Sequence, residues 1–524
     1  MNIFKQVMES MRLNKPNEST TPDSILNGEE KVALPETIDE TKEMFQTLLG
    51  KNFDFYFESF FIHNKIGGVL YFTTMVNLEK ISESITDTIS MINQFGKNVD
   101  TITELGQHFF SSKDCEYLSY KHEVIYYALS GYAILFLGGT KKALAINVLH
   151  NAERSIEQSE TQTIVRGPQE SFIEGISTNI CLLRKKVKNK QLIFEKFILG
   201  KDTKTTVCMA YLDGVANEDI KKQAKERLQS INISAIFDSA NIEELISDKV
   251  ITPFPTVYHT DRPDTAAANL TEGKIAILCD GSPFVLLIPV VFTDFFQVSE
   301  DYYQGFMMSS FLRVLRYVGF LIALLLPSFY IGVTTFHHEL IPTNLLISVQ
   351  AQRQTVPFPA VVEILIMELT FEILREAGVR MPRAVGQTVS IVGALVIGQA
   401  AVEAGIVSHI LIIIVALTAM ASFVIPVYSF ANALRLLRFA LIIITGIFGL
   451  LGTLIAFLMM IVHLTHLRSF GVPYLTPMGP FIIEDQKDIF FRLPIFMYNR
   501  RPSYLATNSE VKSTSKKMKK NKGS

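Results

Sequence analysis

The stretch VPFPAVVEILIMELTFEILREAGVRMPRAVGQTVSIVGALVIGQAAVEAGIV, Val356–Val407, divides into two helical halves of different character. The first, about Phe358–Ala377, carries Glu363, Glu368, Glu372 and Glu376 among Ile, Leu, Met and Phe. The second, about Val385–Val407, is an apolar helix holding Gln399 and Glu403. A carboxylate at the centre of a membrane helix costs about 2.5–3.5 kcal/mol by insertion scales, so such groups face protein or water. Glu368, Glu372 and Glu376 recur every four residues and share one face, with Arg375 and Arg380 within a turn of them. Glu363 points elsewhere, toward another helix. Two readings stand side by side: structural ion pairs at a membrane surface, or an acidic vestibule that attracts cations, as carboxylate rings do around pores.

In the second helix Val392, Val396, Gln399 and Glu403 lie on one face. Gly386, Ser390, Gly393, Ile397, Ala401 and Ala404 form a neighbouring face of mostly small residues, which lets helices approach closely in lipid. One side to pack and one to wet is what a pore-lining helix in a ring needs. Ordinary packing inside a monomer, with Gln399 hydrogen-bonded to a neighbour, is the other reading. In the pore case Val392 and Val396 form the hydrophobic constriction that closes it by dewetting.

Outward from this stretch the chain is apolar and uncharged over Tyr317–Thr335, with Arg313 and Arg316 just before it, which places that end in the cytoplasm. Ile410–Val427 and Phe439–Val462 are also long enough to span, with Pro327 and Pro426 as kink sites. The 524 residues are 48% apolar yet 19% charged, a mixture that fits a soluble part joined to a membrane part. The expected fold is a cytoplasmic α/β N-terminal region of two small subdomains, then a polytopic all-α transmembrane domain of four to five helices. Its divisions are a disordered leader over 1–40, α/β subdomains over 41–150 and 164–250, and a hairpin and linker over 251–310. The membrane domain follows over 311–470, and a basic, largely disordered tail over 471–524. Crossing number stays open between four and five, with the basic tail favouring an even count and a cytoplasmic C-terminus.

Within the soluble part Gly68–Met75 reads as a strand and Leu78–Ile92 as a helix. His122–Val148 contains three β-rich runs split by Ser130-Gly131 and Gly138-Gly139, an antiparallel meander. Phe172, Ile176, Ile180, Leu183 and Val187 mark an amphipathic helix. LIFEKFILG and TKTTVCMAYLDGVAN read as paired strands, NEDIKKQAKERLQ as a helix and ISAIFDS as a further strand, a ferredoxin-like or split βαβ arrangement. Asp280-Gly281-Ser282 is a hairpin signal.

No enzyme signature is present. His338-Glu339 opens like a zinc HExxH motif, but the fifth position is Pro342. GGTKKA lacks P-loop spacing, and there is no GxSxG and no CxxC. The ten His make no ligand set, the four Cys read as reduced thiols, and no cofactor is expected. A net charge of −2 points away from nucleic acid. The N-terminus has no signal-peptide h-region, so the first domain is expected to stay in the cytoplasm.

Several runs resemble the A-subunit family of spore germination receptors, the GerA family of endospore-forming Firmicutes. They are VRGPQESFIEGISTNICLLRKK, YLDGVAN, DRPDTAAANLTEGKIAILCDGSPF, DFFQVSEDYY, VPFPAVVEILIMELTFEILREAG, RAVGQTVSIVGALVIGQAAVEAGIVS and LRSFGVPYLTP, in family order over about Val165–Pro477. A SpoVAF-type relative shares these motifs. The resemblance implies an inner-membrane protein of the dormant spore. It implies two partners, a transporter-like B subunit that carries the nutrient site and a lipoprotein C subunit. It also implies assembly into a ring, a pentamer, forming a nutrient-gated channel for monovalent cations. The competing expectation is a non-conducting scaffold that docks the B and C subunits. A secondary transporter fits less well, since no inverted repeat or paired broken helices are visible.

Overall fold

Thr37 accepts the backbone N–H of Glu40 and starts helix α1 (Ile38–Leu49), which buries Ile38, Thr41, Phe45 and Leu49 at helical spacing. The computed structural model describes residues 31–62, 65–87, 89–90, 92, 101–109, 115–149, 159, 161–248, 251–381, 393, 396–482, 485–497 and 500–505. By contact the chain forms two units, Met1–Arg154 with Lys188–Lys190, and the remainder.

The first unit is built on a five-stranded antiparallel sheet of β1 (Phe55–Ile62), β2 (Lys65–Phe72), β3 (Cys115–Leu118), β4 (Tyr132–Leu137) and β5 (Ala143–Asn147). Its order is β1-β2-β4-β5-β3. The meander expected over His122–Val148 is two strands, not three, because its first run is helix α2 (Lys121–Ala128). The cause is Glu123, whose carboxylate accepts the N–H groups of Ser119 and Tyr120 at 2.8 and 3.0 Å and so caps the helix start. The leader expected to reach residue 40 gives way at Ala33, which bridges to Tyr120. Residues 1–30 lie outside the described residues.

The second unit contains a second antiparallel sheet of β6 (Leu192–Leu199), β7 (Thr205–Leu212), β8 (Tyr258–Thr260), β9 (Ile275–Cys279) and β10 (Val285–Ile288), in the order β6-β7-β9-β10-β8. The Asp280-Gly281-Ser282 hairpin therefore belongs to this sheet. Helices α3 (Ile176–Lys186) and α4 (Pro263–Glu272) share one core with Phe194, Cys208 and Leu278. Helices α5 (Glu218–Ser230) and α6 (Ser239–Ile246) share the core of the opposite face with Val207, Met209 and Ile277. ISAIFDS is not a strand. Its backbone instead clamps the β6–β7 turn, with Ile233 and Ser234 carbonyls accepting from Lys201 and Asp202 at 3.1 and 2.8 Å.

Helix α7 (Phe306–Thr335) leaves this domain, followed by α8 (Thr343–Arg353), α9 (Ala360–Arg380), a helix over 396–403, α10 (His409–Phe423) and α11 (Tyr428–His466). Among the described residues α7 and α11 are long and apolar enough to cross a membrane. The single span expected over Phe439–Val462 is interrupted, because Gly449 has φ 66° and ψ −159°. Thr445 and Thr453 hydroxyls meet at 2.6 Å across it. Residues eight apart in a continuous helix are separated by about 12 Å, so the chain reverses at Gly449. Phe254 touches both ends of α11, at 6.1 Å from the Phe430 ring and 6.5 Å from that of His463. Pro426 lies between α10 and α11 and is not a kink within a helix.

The end of the bundle packed on the second sheet is here the near end. Phe430 stacks on Phe295 at 4.9 Å there, while a Cβ at Gly449 would lie 2.9 Å from Phe336 at the far end. Val361 abuts Gly446 at the far end, and Arg375 lies over Phe423 and Tyr428 at the near end. Gly405 approaches the Thr355 carbonyl, and Val424 returns to Gly319. With α11 taken as two arms and the short α8 set aside, the remaining six segments run alternately away from and back to the second sheet. Replacing Gly449 by Ala forces a Cβ into a backbone region almost confined to glycine. The expected loss is about 1–3 kcal/mol, read as a lower unfolding midpoint in detergent; an unchanged midpoint would mean the reversal relaxes without cost.

Beyond α11 the chain does not run into a disordered tail at residue 471. Ser469 donates to the Thr256 carbonyl at 2.7 Å and Tyr474 to that of Pro255 at 2.9 Å. Asn217 donates to the Leu505 carbonyl at 3.3 Å. Residues 506–524 lie outside the described residues.

Candidate functional site

The glutamates of α9 are distributed along the bundle, and three of the four are drawn into it. Glu363 is 1% exposed; its carboxylate accepts the Ser408 N–H at 3.3 Å and so caps α10, and lies 3.5 Å from Arg353. Glu368 pairs with Arg438 at 2.9 Å, both side chains 1% exposed. Glu372 takes Arg435 at 2.6 Å and Arg438 at 3.2 Å. Glu376 pairs with Arg380 at 2.6 Å on the exposed surface. The partners of Glu368 and Glu372 thus come from α11. Arg375, the i+3 neighbour of Glu372, stacks over Phe423 at 4.9 Å and forms no ion pair among the described residues.

On the helix over 396–403, Val396 is 56% exposed, and Gln399 and Glu403 are exposed and joined by a 2.9 Å hydrogen bond. Behind them Gly398 is buried, 4.0 Å from Ile412, and Gly393 lies against Leu374. Ala401 packs into the core around Ile364 and Leu411. Ala404 and Ile397 are exposed, so the packing side centres on Gly398 and Ala401. Val392, Gly386 and Ser390 lie outside the described residues. No cluster of three or more potential metal ligands occurs among the described residues.

Sequence reasoning missed a charged hub at the near end. Asp301, 2% exposed, accepts from Arg313 at 3.2 and 3.1 Å and from Arg316 at 2.7 and 2.8 Å. Arg313 also donates to the Asp488 carboxylate and carbonyl, each at 2.7 Å. Tyr302 donates to the other Asp488 oxygen. Burial first, then the Asp488 charge, pushes the Tyr302 phenol well above its ordinary value, so it remains a donor. Arg313 and Arg316 are visible in the sequence as flanking charges of a span; their partners lie 12 to 175 residues away.

The Bacillus/Clostridium GerA spore germination protein family matches residues 43–504. The chain belongs to the GerA family. It is 44% identical over 444 residues to spore germination protein KA of Bacillus subtilis, covering 85% of this chain and 81% of that one. It is 43% identical to an uncharacterized membrane protein, YfkQ, of the same organism, covering 86% and 87%. The crystal structure of the N-terminal domain of the A subunit of the Bacillus megaterium germinant receptor GerK3 matches at 28% identity and a TM-score of 0.41, over 50% of this chain and 99% of that one. Membership of the GerA family supports a role in spore germination.

Proposed function

We propose that this GerA-family chain is the A subunit of a nutrient germinant receptor in the spore inner membrane. Several copies, five by the family resemblance, assemble into a nutrient-gated channel that releases monovalent cations and starts germination. It acts with a transporter-like B subunit and a lipoprotein C subunit. The observation that carries the reading is the two-sided helix over 396–403. Its Gly398–Ala401 side packs inside the chain, and its Val396–Gln399–Glu403 side is open for other copies or water. The six alternating segments support a membrane domain with an even number of crossings. The second sheet and the strap that follows α11 then lie on the cytoplasmic side.

Val396→Ala, by widening or wetting the constriction, is expected to leak ions and start germination without nutrient. Unchanged dormancy in such spores would argue against this helix as the gate. Glu403→Gln is expected to slow cation release several-fold with the complex intact, because it removes the carboxylate that faces the pore; normal release makes that carboxylate structural. A non-conducting scaffold for the B and C subunits is separated from a channel by conductance of the purified chain in liposomes.

A further inference from the structure

Around Arg375 the charges do not close. Among the described residues, Arg375, Arg435 and Arg438 face Glu368 and Glu372, three cations against two carboxylates. Glu376 is taken by Arg380 at the surface. The Nη1 atom of Arg375 is buried without a hydrogen-bond partner. The guanidinium is held between two aromatic rings, 4.9 Å from Phe423 and 6.0 Å from Tyr428, at the near end of the bundle. Among the described residues Glu372 is shared by all three guanidiniums, so this half-buried cluster keeps one positive charge in excess and one unpaired N–H, which calls for an anionic group beside it.

A groove of about 280 Å³ shares Phe423 with that cluster. Met367 and Leu374 of α9, Ile397 and Gly398 of the following helix, and Ile412 and Phe423 of α10 are among the residues that line it. It extends about 16 Å along α10 at the α-helical rise. Phe423 both lines the groove and carries the Arg375 guanidinium on its ring, so the apolar groove and the excess charge meet at that side chain.

The geometry points to a binding site for an anionic phospholipid. One acyl chain lies in the groove between α9, the 396–403 helix and α10, and the phosphate neutralises Arg375. This rests on the membrane reading above. A bilayer phospholipid brings an apolar chain together with its charge. A bound lipid would also fix the packed side of the helix whose other side is proposed to line the pore.

The test is phospholipid retained by the full-length chain after extraction from membranes in mild detergent, measured by phosphate assay and mass spectrometry. The wild type is expected to keep about one anionic phospholipid per chain. Arg375→Gln should reduce retention about five-fold, the worth of one basic residue at an anionic lipid surface. Ala416→Phe, which fills the groove, should reduce it as much, and Arg375→Lys should restore it. Equal retention in all four overturns the site. Displacement of the lipid by millimolar inorganic phosphate would make it a free-anion site, and overturns the lipid assignment. So would loss of oligomer size in Ala416→Phe with lipid unchanged, since the groove would then hold a second copy. Release of the wild type by alkaline carbonate would fail the membrane reading itself; a chain that stays in the membrane but carries no phospholipid fails only the lipid site.

Discussion

Replacing Arg438 by Ala is expected to destabilise the helical region by about 3–5 kcal/mol, the cost of stranding a buried partner charge. Arg438 and Glu368 are each 1% exposed and meet at 2.9 Å. The same guanidinium reaches Glu372 at 3.2 Å. Among the described residues Glu368 is then left with no cation, whereas Glu372 keeps Arg435 at 2.6 Å. The penalty therefore comes from one orphaned carboxylate, and removing that carboxylate should relieve it. Arg438→Met with Glu368→Leu is expected to recover most of the loss, since a well-packed apolar pair often replaces a buried ion pair without cost. Glu376→Ala is the internal control: it breaks an exposed pair and should cost about 0–1 kcal/mol. Unfolding midpoints of the detergent-solubilised chains read all three. A double variant no better than Arg438→Ala would mean that the guanidinium acts through contacts other than Glu368.

The same residues show how far the sequence could be read. The position of Glu363, Glu368, Glu372 and Glu376 on one amphiphilic helix was legible from spacing, and so was the separate direction of Glu363. Their partners were not. Spacing along one helix offers only neighbours three or four residues away, which identified Arg380 for Glu376. Arg435 and Arg438 lie more than 60 residues on, and in the sequence they read as flanking charges of another span. Gly449 was hidden for a different reason. Glycine is common in membrane helices, so GIFGLLGTLIAF reads as continuous apolar helix, and only the positive φ and the Thr445–Thr453 contact reveal the reversal. That reversal is what returns the chain to the α/β side. In the soluble part, strand pairing of Leu192–Leu199 with Thr205–Leu212 followed from pattern. Lys121–Ala128 did not, because a local cap from Glu123 overrides the β-preference of Ile125, Tyr126 and Tyr127. The three-residue β8 is too short to carry a period at all.

Asp301→Ala is expected to have an effect of similar size, by about 3–5 kcal/mol, but at the junction of the two layers. One carboxylate, 2% exposed, holds Arg313 and Arg316 at the start of α7, and Arg313 extends the contact to Asp488 in the strap that follows α11. Among the described residues, removing Asp301 leaves Arg316 with the Phe296 carbonyl, at 3.0 Å, as its one hydrogen-bond partner in a largely buried site. Asp488→Ala is milder, because that carboxylate is partly exposed and Arg313 keeps Asp301; the loss of its charged hydrogen bonds is worth about 1.5–3 kcal/mol. The two variants also differ in kind. Asp301→Ala should split unfolding into separate transitions for the α/β and helical layers, since the hub bonds both. Asp488→Ala should leave one transition but expose the strap, so that limited proteolysis cuts between residues 475 and 505 before the α/β sheets. A single unchanged transition in Asp301→Ala would show that the aromatic core around Phe295, Phe320 and Phe430 alone couples the layers. The charges would then serve only to place the first helix. If the layers do separate, nutrient-dependent ion release should fail in spores where the chain still accumulates, because a pore in the helical layer could no longer follow the domain that holds it.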